Sequence, residues 1–118
     1  MVIYKIAIAD DWSDAVRNGV FAGSPKDKAD GFIHFSAADQ LIETLKLHYR
    51  SVENMLALVA VDSDALGDAL KWESSRKGDL FPHLYGPLPA EMARATLIAS
   101  YQALAENDFA AVREFTAS

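Results

Sequence analysis

Apolar residues occur in short runs along the chain, and several of these runs predict β-strands. Residues 2–8 are apolar and β-branched except at Tyr4-Lys5, and residues 55–61 are apolar throughout. A short run that is apolar at every position is typical of a strand buried on both faces. Leu70–Ser74 alternates between apolar and polar residues, which predicts a strand with Leu70 and Trp72 on one face.

The last third of the chain is less uniform in its pattern. Three prolines within residues 81–89 exclude a helix there and predict a rigid, partly extended segment. Residues 90–105 fit two structures, because frequent alanine favours a helix whereas alternating apolar residues favour an edge strand. We favour a strand over about residues 93–101.

Two segments have the period of amphipathic helices. The first follows Asp10-Asp11, which we expect to cap it, and ends at Gly19; Trp12 lies on its apolar face and is expected in the core. The second is expected to begin with Ser36 as its N-cap and to continue to about residue 50, because apolar residues recur at three- and four-residue steps.

The remaining segments complete the predicted fold. Residues 20–29 predict a loop, with Lys26-Asp27-Lys28 at a solvated tip and with Asp27 and Asp30 as turn formers. Asn107 is expected to cap a closing helical segment in the tail, residues 102–118. The order β-α-β-α-β-β-β-β-α predicts one α+β domain over residues 1–118, with a mostly antiparallel sheet and flanking helices.

Composition narrows the classes of partner. The chain has 118 residues, 51% of them hydrophobic, and a net charge of −6, which argues against a nucleic acid partner because such proteins usually carry a basic face. Cysteine is absent, so no thiolate or disulfide chemistry is available. No secretory leader is evident, and no apolar run approaches the roughly 20 residues of a membrane span. We therefore expect a cytoplasmic protein with no membrane partner.

Two similar motifs carry the candidate chemistry. His34 and Ser36 lie two positions apart in an apolar run, and His83 and Tyr85 repeat this spacing in the proline-rich segment. Residues i and i+2 of a strand point to the same face. Two such pairs lining one cleft would form a binding or catalytic site.

Each of these residues also has a structural interpretation. His34 fits a core histidine bonded to a backbone carbonyl about as well as a functional one. Ser36 fits an N-cap better than a nucleophile, although a cap at an exposed helix N-terminus can also contact an anion. Tyr85 fits either a binding wall with His83 or a lid over the core.

Glu73 is the acidic candidate for catalysis. It follows Trp72 on a predicted strand and could act as a general base or stabilise a cationic transition state, or simply be an exposed carboxylate beside Arg76 and Lys77. The three histidines lack the close spacing of metal ligands, so no metal site is expected.

Four segments of the chain form a joint pattern: Ile3-Tyr4-Lys5-Ile6, Gly31-Phe32-Ile33-His34-Phe35-Ser36, Trp72-Glu73 and Phe81-Pro82-His83-Leu84-Tyr85-Gly86-Pro87. This pattern resembles a bacterial family named domain of unknown function 952. The resemblance extends to about residue 101. It implies the ADP-ribosyltransferase fold, a split antiparallel sheet with flanking helices. His34-Phe35-Ser36 is similar to the element of that fold that holds the NAD ribose and carboxamide.

The same resemblance implies roles for other residues. Tyr85 is the candidate for the tyrosine that stacks on nicotinamide, and the transferring members add a glutamate on a later strand. Here Glu73 precedes Tyr85 and only Glu91 follows it closely. Phe35 also stands where the usual residue is glycine.

Two functions are consistent with these residues. The first is a domain that binds NAD or an ADP-ribose-type nucleotide through His34, Ser36, His83 and Tyr85, and cleaves or transfers ADP-ribose with His34 and Glu73 as catalytic residues. NAD is then a substrate, and no other cofactor is expected. The alternative is a non-catalytic small-molecule-binding or interaction module.

Overall fold

The computed structural model describes all 118 residues, in nine strands and four α-helices. The strands are β1 (Val2–Ile8), β2 (Val20–Phe21), β3 (Ile33–His34), β4 (Ser36–Ala37), β5 (Leu56–Asp62), β6 (Leu70–Ser74), β7 (Leu80–Leu84), β8 (Leu88–Pro89) and β9 (Ala93–Ala99). The helices are α1 (Ala9–Asn18), α2 (Pro25–Asp30), α3 (Leu41–His48) and α4 (Tyr101–Ala117). No helix has both the length and the apolar content that crossing a membrane requires.

Every strand pair is antiparallel, and the pairs form three sheets. The central sheet has the order β4-β1-β5-β9, the second β3-β7-β6, and the third consists of β2 and β8. The predicted α+β class with antiparallel sheets and flanking helices is confirmed. The strand favoured over residues 93–101 is also confirmed, as β9.

The central sheet is buried on both faces because its two middle strands alternate between two hydrophobic clusters. Along β5, Ala57, Val59 and Val61 belong to the cluster that contains Trp12, as expected for that side chain. Leu56, Leu58 and Ala60 face the opposite cluster, with α3 and α4. This explains why residues 56 to 61 are all apolar.

The predicted N-caps of α1 and α3 are wrong. The N-cap of α1 is Ile8, and Asp10 and Asp11 lie in the first turn, where carboxylates favour the positive end of the helix dipole without capping it. Ser36 caps no helix, because it pairs with Tyr4 as part of β4. A tight turn at residues 38–40 follows, and α3 begins only at Leu41.

The predicted loop at residues 20–29 is also wrong, because it contains α2. Ser24 Oγ accepts a hydrogen bond from Asp27 N at 3.1 Å, and Asp27 Oδ2 accepts one from Ser24 N at 2.9 Å. This reciprocal pair, with Pro25 in the first turn, is a strong helix start. Asp27 is neither solvated nor a turn former, since only 2% of it is exposed.

The chain ends in α4, which packs on the central sheet. Its N-cap is Ser100, whose Oγ accepts from Ala103 N at 3.1 Å, and the predicted cap at Asn107 is therefore wrong. Asn107 instead adopts left-handed backbone angles at a kink within the helix. Phe109 and Val112 are buried, as the three-residue spacing predicted.

Candidate functional site

A cavity of about 580 Å³ opens between α2, α3 and the loop that joins β6 to β7. Its wall also includes residues of β1, β3, β4 and β7. Sites for small molecules typically occupy about 300–1,000 Å³. The cavity is therefore large enough to hold a small ligand.

Asp27 is the buried centre of one wall. Its Oδ2 accepts a hydrogen bond from Lys5 Nζ at 2.8 Å, and its Oδ1 accepts from His34 N at 3.1 Å and lies 2.6 Å from His34 Nδ1. Burial alone would raise the pKa of Asp27, but the hydrogen bond from His34 and the charge of Lys5 outweigh it and hold this pKa well below its usual range. Asp27 is therefore a carboxylate that fixes both the ring and the backbone of His34.

His34 lies between two carboxylates. Besides Asp27 at Nδ1, its Nε2 is 2.9 Å from Asp30 Oδ2, which also faces Lys26 Nζ at 3.4 Å. Both ring nitrogens therefore face carboxylate oxygens, and no nitrogen is left for a ligand unless Asp30 moves.

His83 is held from one side only. Its Nδ1 is 2.8 Å from Glu73 Oε1, and the Tyr85 hydroxyl donates to the same oxygen at 2.8 Å. These two hydrogen bonds lower the pKa of Glu73. The hydrogen bond between Tyr85 and Glu73 also raises the pKa of Tyr85. Phe32 stacks on the His83 ring with a centroid distance of 4.0 Å.

The two histidines are neighbours across the sheet. His34 and His83 are register partners of β3 and β7, and their ring centroids are 5.6 Å apart. Both rings line the cavity. The strand pairing therefore brings together the two motifs that the sequence separates by nearly fifty positions.

Another part of the cavity wall carries Arg76, which follows β6 in the chain. Arg76 is 18% exposed at its side chain, donates to Thr44 Oγ1 at 3.3 Å and lies over the Phe81 ring at 4.8 Å. Lys26 and His48 also line the cavity. Burial and the neighbouring charges of Arg76 and Lys26 lower the pKa of His48.

The predicted site residues fall into two groups. His34, Ser36 and His83 line the cavity together, and Ser36 Oγ donates to Thr44 Oγ1 at 3.3 Å. Glu73 and Tyr85 do not line it; they meet each other behind His83. The structure brings no three metal-ligating side chains into one cluster.

Most of the cavity residues were not anticipated from sequence as site residues, among them Lys5, Asp27, Asp30 and Arg76. A signal for Lys5 was available, because it shares a strand face with Ile3 and Ala7 and so must point into the core. A buried lysine requires an anionic partner. The Ser24-x-x-Asp27 pattern supplied the second signal, because a capping box fixes where that carboxylate lies.

These features define an antiparallel α+β protein with a histidine-lined, partly cationic cavity. A family described as "Protein of unknown function (DUF952)" matches residues 6–96, and the chain belongs to this family. No curated protein matches the chain.

Solved structures of protein CC0527 from Caulobacter crescentus are similar to this chain. The crystal structure is 45% identical, covers 83% of this chain and 85% of its own, and superposes with a TM-score of 0.79. The solution NMR structure is 46% identical, covers 81% and 82% of the two chains, and gives a TM-score of 0.72.

Proposed function

We propose that the cavity binds an anionic nucleotide of the NAD or ADP-ribose type. The observation that carries this proposal is Arg76, a cationic group that lines the cavity together with Lys26 in a chain whose net charge is −6. Asp27 and Asp30 also line the cavity, but each lies against a lysine, Lys5 and Lys26 respectively. The potential of a cationic group in a low-dielectric cleft attracts the opposite charge. An anionic ligand is the partner that this potential favours.

The rest of the lining suits the other parts of a nucleotide. Phe32 presents an aromatic surface on which a flat ring can stack, and Ser36, Ser74 and Ser75 bring hydroxyl groups that can bond to ribose or phosphate. A pocket with apolar surfaces and a few convergent polar groups is the usual form of a small-molecule site.

The resemblance to the ADP-ribosyltransferase fold supports the same ligand class. In this proposal His34 and Ser36 orient the ribose, as the similar element of that fold does. Because Tyr85 lies outside the cavity, we assign the stacking surface to Phe32. Of the two carboxylates, Asp30 is exposed and lines the cavity itself. Glu73 lies outside the lining and affects the cavity through its hydrogen bond to His83.

The test is a titration of the full chain with NAD, ADP-ribose, ADP and inorganic phosphate, followed by amide NMR shifts. We expect NAD and ADP-ribose to move the signals of residues 31–36 and 81–87 together. Arg76→Gln should weaken binding about tenfold or more, because a hydrogen bond to a charged group contributes about 1.5–3 kcal/mol.

Lys77→Gln is the matched control. It removes the same charge from the next residue in the chain, whose side chain is 77% exposed. It should leave the affinity nearly unchanged. If no nucleotide perturbs these segments at millimolar concentration, the proposal is wrong. If ADP-ribose binds but NAD releases no nicotinamide, the chain is a non-catalytic binding module.

A further inference from the structure

Of the three histidines, only His83 combines a fixed ring with an available nitrogen. Both nitrogens of His34 face carboxylates, and His48 is exposed with no carboxylate bonded to it. His83 uses Nδ1 for Glu73, and its Nε2 bonds to no residue. No buried side-chain nitrogen in the structure lacks a partner, so this Nε2 is open to the cavity that its ring lines.

The hydrogen bond to Glu73 determines which nitrogen of the His83 ring carries the proton. Because a carboxylate only accepts, Nδ1 must be the protonated nitrogen of the neutral ring, which leaves the lone pair on Nε2. Tyr85 donates to the same carboxylate oxygen and so holds Glu73 in place. Phe32, stacked on the ring, restrains its plane.

We infer that His83 is the general base of the cavity and that Glu73 and Tyr85 are its positioning residues. The nature of the substrate in this inference rests on the proposed function. A histidine whose second nitrogen is held by a carboxylate is the arrangement that enzymes use to orient a base and to stabilise the imidazolium that forms. His34 faces a carboxylate at each nitrogen, so it has no free nitrogen with which to accept the proton.

With NAD in the cavity, the step is hydrolysis of the nicotinamide–ribose bond. Water attacks the ribose carbon that bears nicotinamide, and the carbon–nitrogen bond breaks with its electron pair returning to the pyridinium nitrogen. His83 Nε2 takes the proton of the attacking water, and Glu73 stabilises the resulting imidazolium. The products are ADP-ribose, neutral nicotinamide and one proton released to solvent, so no oxidant or reductant is required.

The first test concerns the ring itself and needs no substrate. We expect ¹⁵N NMR of the full chain to show the His83 ring protonated at Nδ1 with its lone pair at Nε2. Diethyl pyrocarbonate, which acylates an accessible unprotonated imidazole nitrogen with loss of ethanol and carbon dioxide, should modify His83 faster than His34. An Nε2-protonated ring, or preferential modification of His34, would overturn the assignment.

The second test concerns turnover. His83→Gln should lower nicotinamide release from NAD about 100-fold or more while ADP-ribose affinity changes little, because a general base acts on the reaction rather than on binding. Glu73→Ala should lower release about tenfold or more and redistribute the proton between the two nitrogens. Glu53→Ala, which replaces an exposed glutamate outside the cavity, is the matched control and should change neither.

The outcomes separate this inference from the proposed function. If no nucleotide binds, the proposed function fails, and the ring measurements still decide whether His83 is poised as a base. If NAD binds and the native chain releases no nicotinamide, or if His83→Gln releases it at the native rate, the base assignment is wrong. Should His83→Gln fail to fold, Glu73→Ala decides, because an unchanged tautomer and rate in that variant contradict the positioning role.

Discussion

Asp27 is a fully buried charge whose partners come from three parts of the chain. Lys5 approaches it from β1, Ser24 from the start of α2, and His34 from β3. Taking a carboxylate out of water costs several kcal/mol unless charge and hydrogen bonds compensate. Asp27 therefore depends on all three contacts, and the orientation of His34 in the cavity wall depends on Asp27.

The ion pair between Lys5 and Asp27 leads to a prediction about stability. The two side chains are 3% and 2% exposed, so removing one partner strands the other charge in the core. We expect Lys5→Met or Asp27→Leu alone to lower the free energy of unfolding by about 3–5 kcal/mol. The double variant should lose less than the sum, because no unpaired charge remains.

Urea unfolding of the four chains measures this coupling. Lys28→Met serves as the control, because it removes an exposed lysine from α2, the helix that contains Asp27. Strict additivity of the two single variants would show that the pair is not coupled in the folded state.

At the scale of elements, α2 matters most for the site although it has only six residues. Its capping box fixes Asp27, and its last residue, Asp30, faces His34. So short a helix is not stable alone, and local bonds at its start must hold it. The position of the carboxylates around His34 therefore depends on the cap at Ser24.

We predict that Ser24→Ala lowers the free energy of unfolding by about 1 kcal/mol, which is the usual cost of losing an N-cap side chain. The ¹⁵N signals of the His34 ring should shift as well, since Asp27 loses one of its restraints. Ser51→Ala, at an exposed position outside any helix or strand, should change neither quantity. Unchanged His34 signals in Ser24→Ala would mean that the remaining bonds to Asp27, from Lys5 Nζ and the backbone N of residue 24, are enough to fix it.

The strands that sequence predicts best are those whose apolar residues are continuous. β1 and β5 were predicted because an apolar run records burial on both faces. β6 and β9 were predicted from alternation, although none of their residues is fully buried. Ser36 was assigned to the wrong element because its pairing with Tyr4 in β1 is long-range, whereas its capping propensity is local. The residues next to Ser36 do not show which of these two interactions is preferred.

The same distinction applies to the site. His34 and His83 stand out in sequence because a histidine in an apolar run is unusual, and the pairing of β3 with β7 unites them. Asp27 was misassigned because its neighbours Ser, Pro and Lys are also common in loops. Its three partners identify it as a buried carboxylate, and they become adjacent only in the folded chain.

At the scale of the whole molecule, the central sheet separates two hydrophobic clusters, and different elements cover the two faces of the sheet. One cluster lies between the sheet and α1, together with the two smaller sheets, one of which carries His34 and His83. The other is closed by α3 and α4, and α4 lies beyond residues 6–96, the part of the chain that the family match covers. The second face of the sheet thus depends on a helix outside the matched region.

We predict that a chain ending at residue 99 no longer unfolds cooperatively. Removing α4 uncovers the face lined by Tyr4, Leu58 and Ala60 and deletes the buried Leu104 and Phe109. Since replacing one buried leucine or phenylalanine by alanine costs about 2–5 kcal/mol, losing both side chains and their neighbours approaches the whole stability of a domain. A chain that lacks only the exposed residues 117 and 118 is the control and should unfold like the full chain. Urea unfolding followed by tryptophan fluorescence measures the difference, and an equal midpoint for the two truncated chains would show that α4 does not stabilise the sheet.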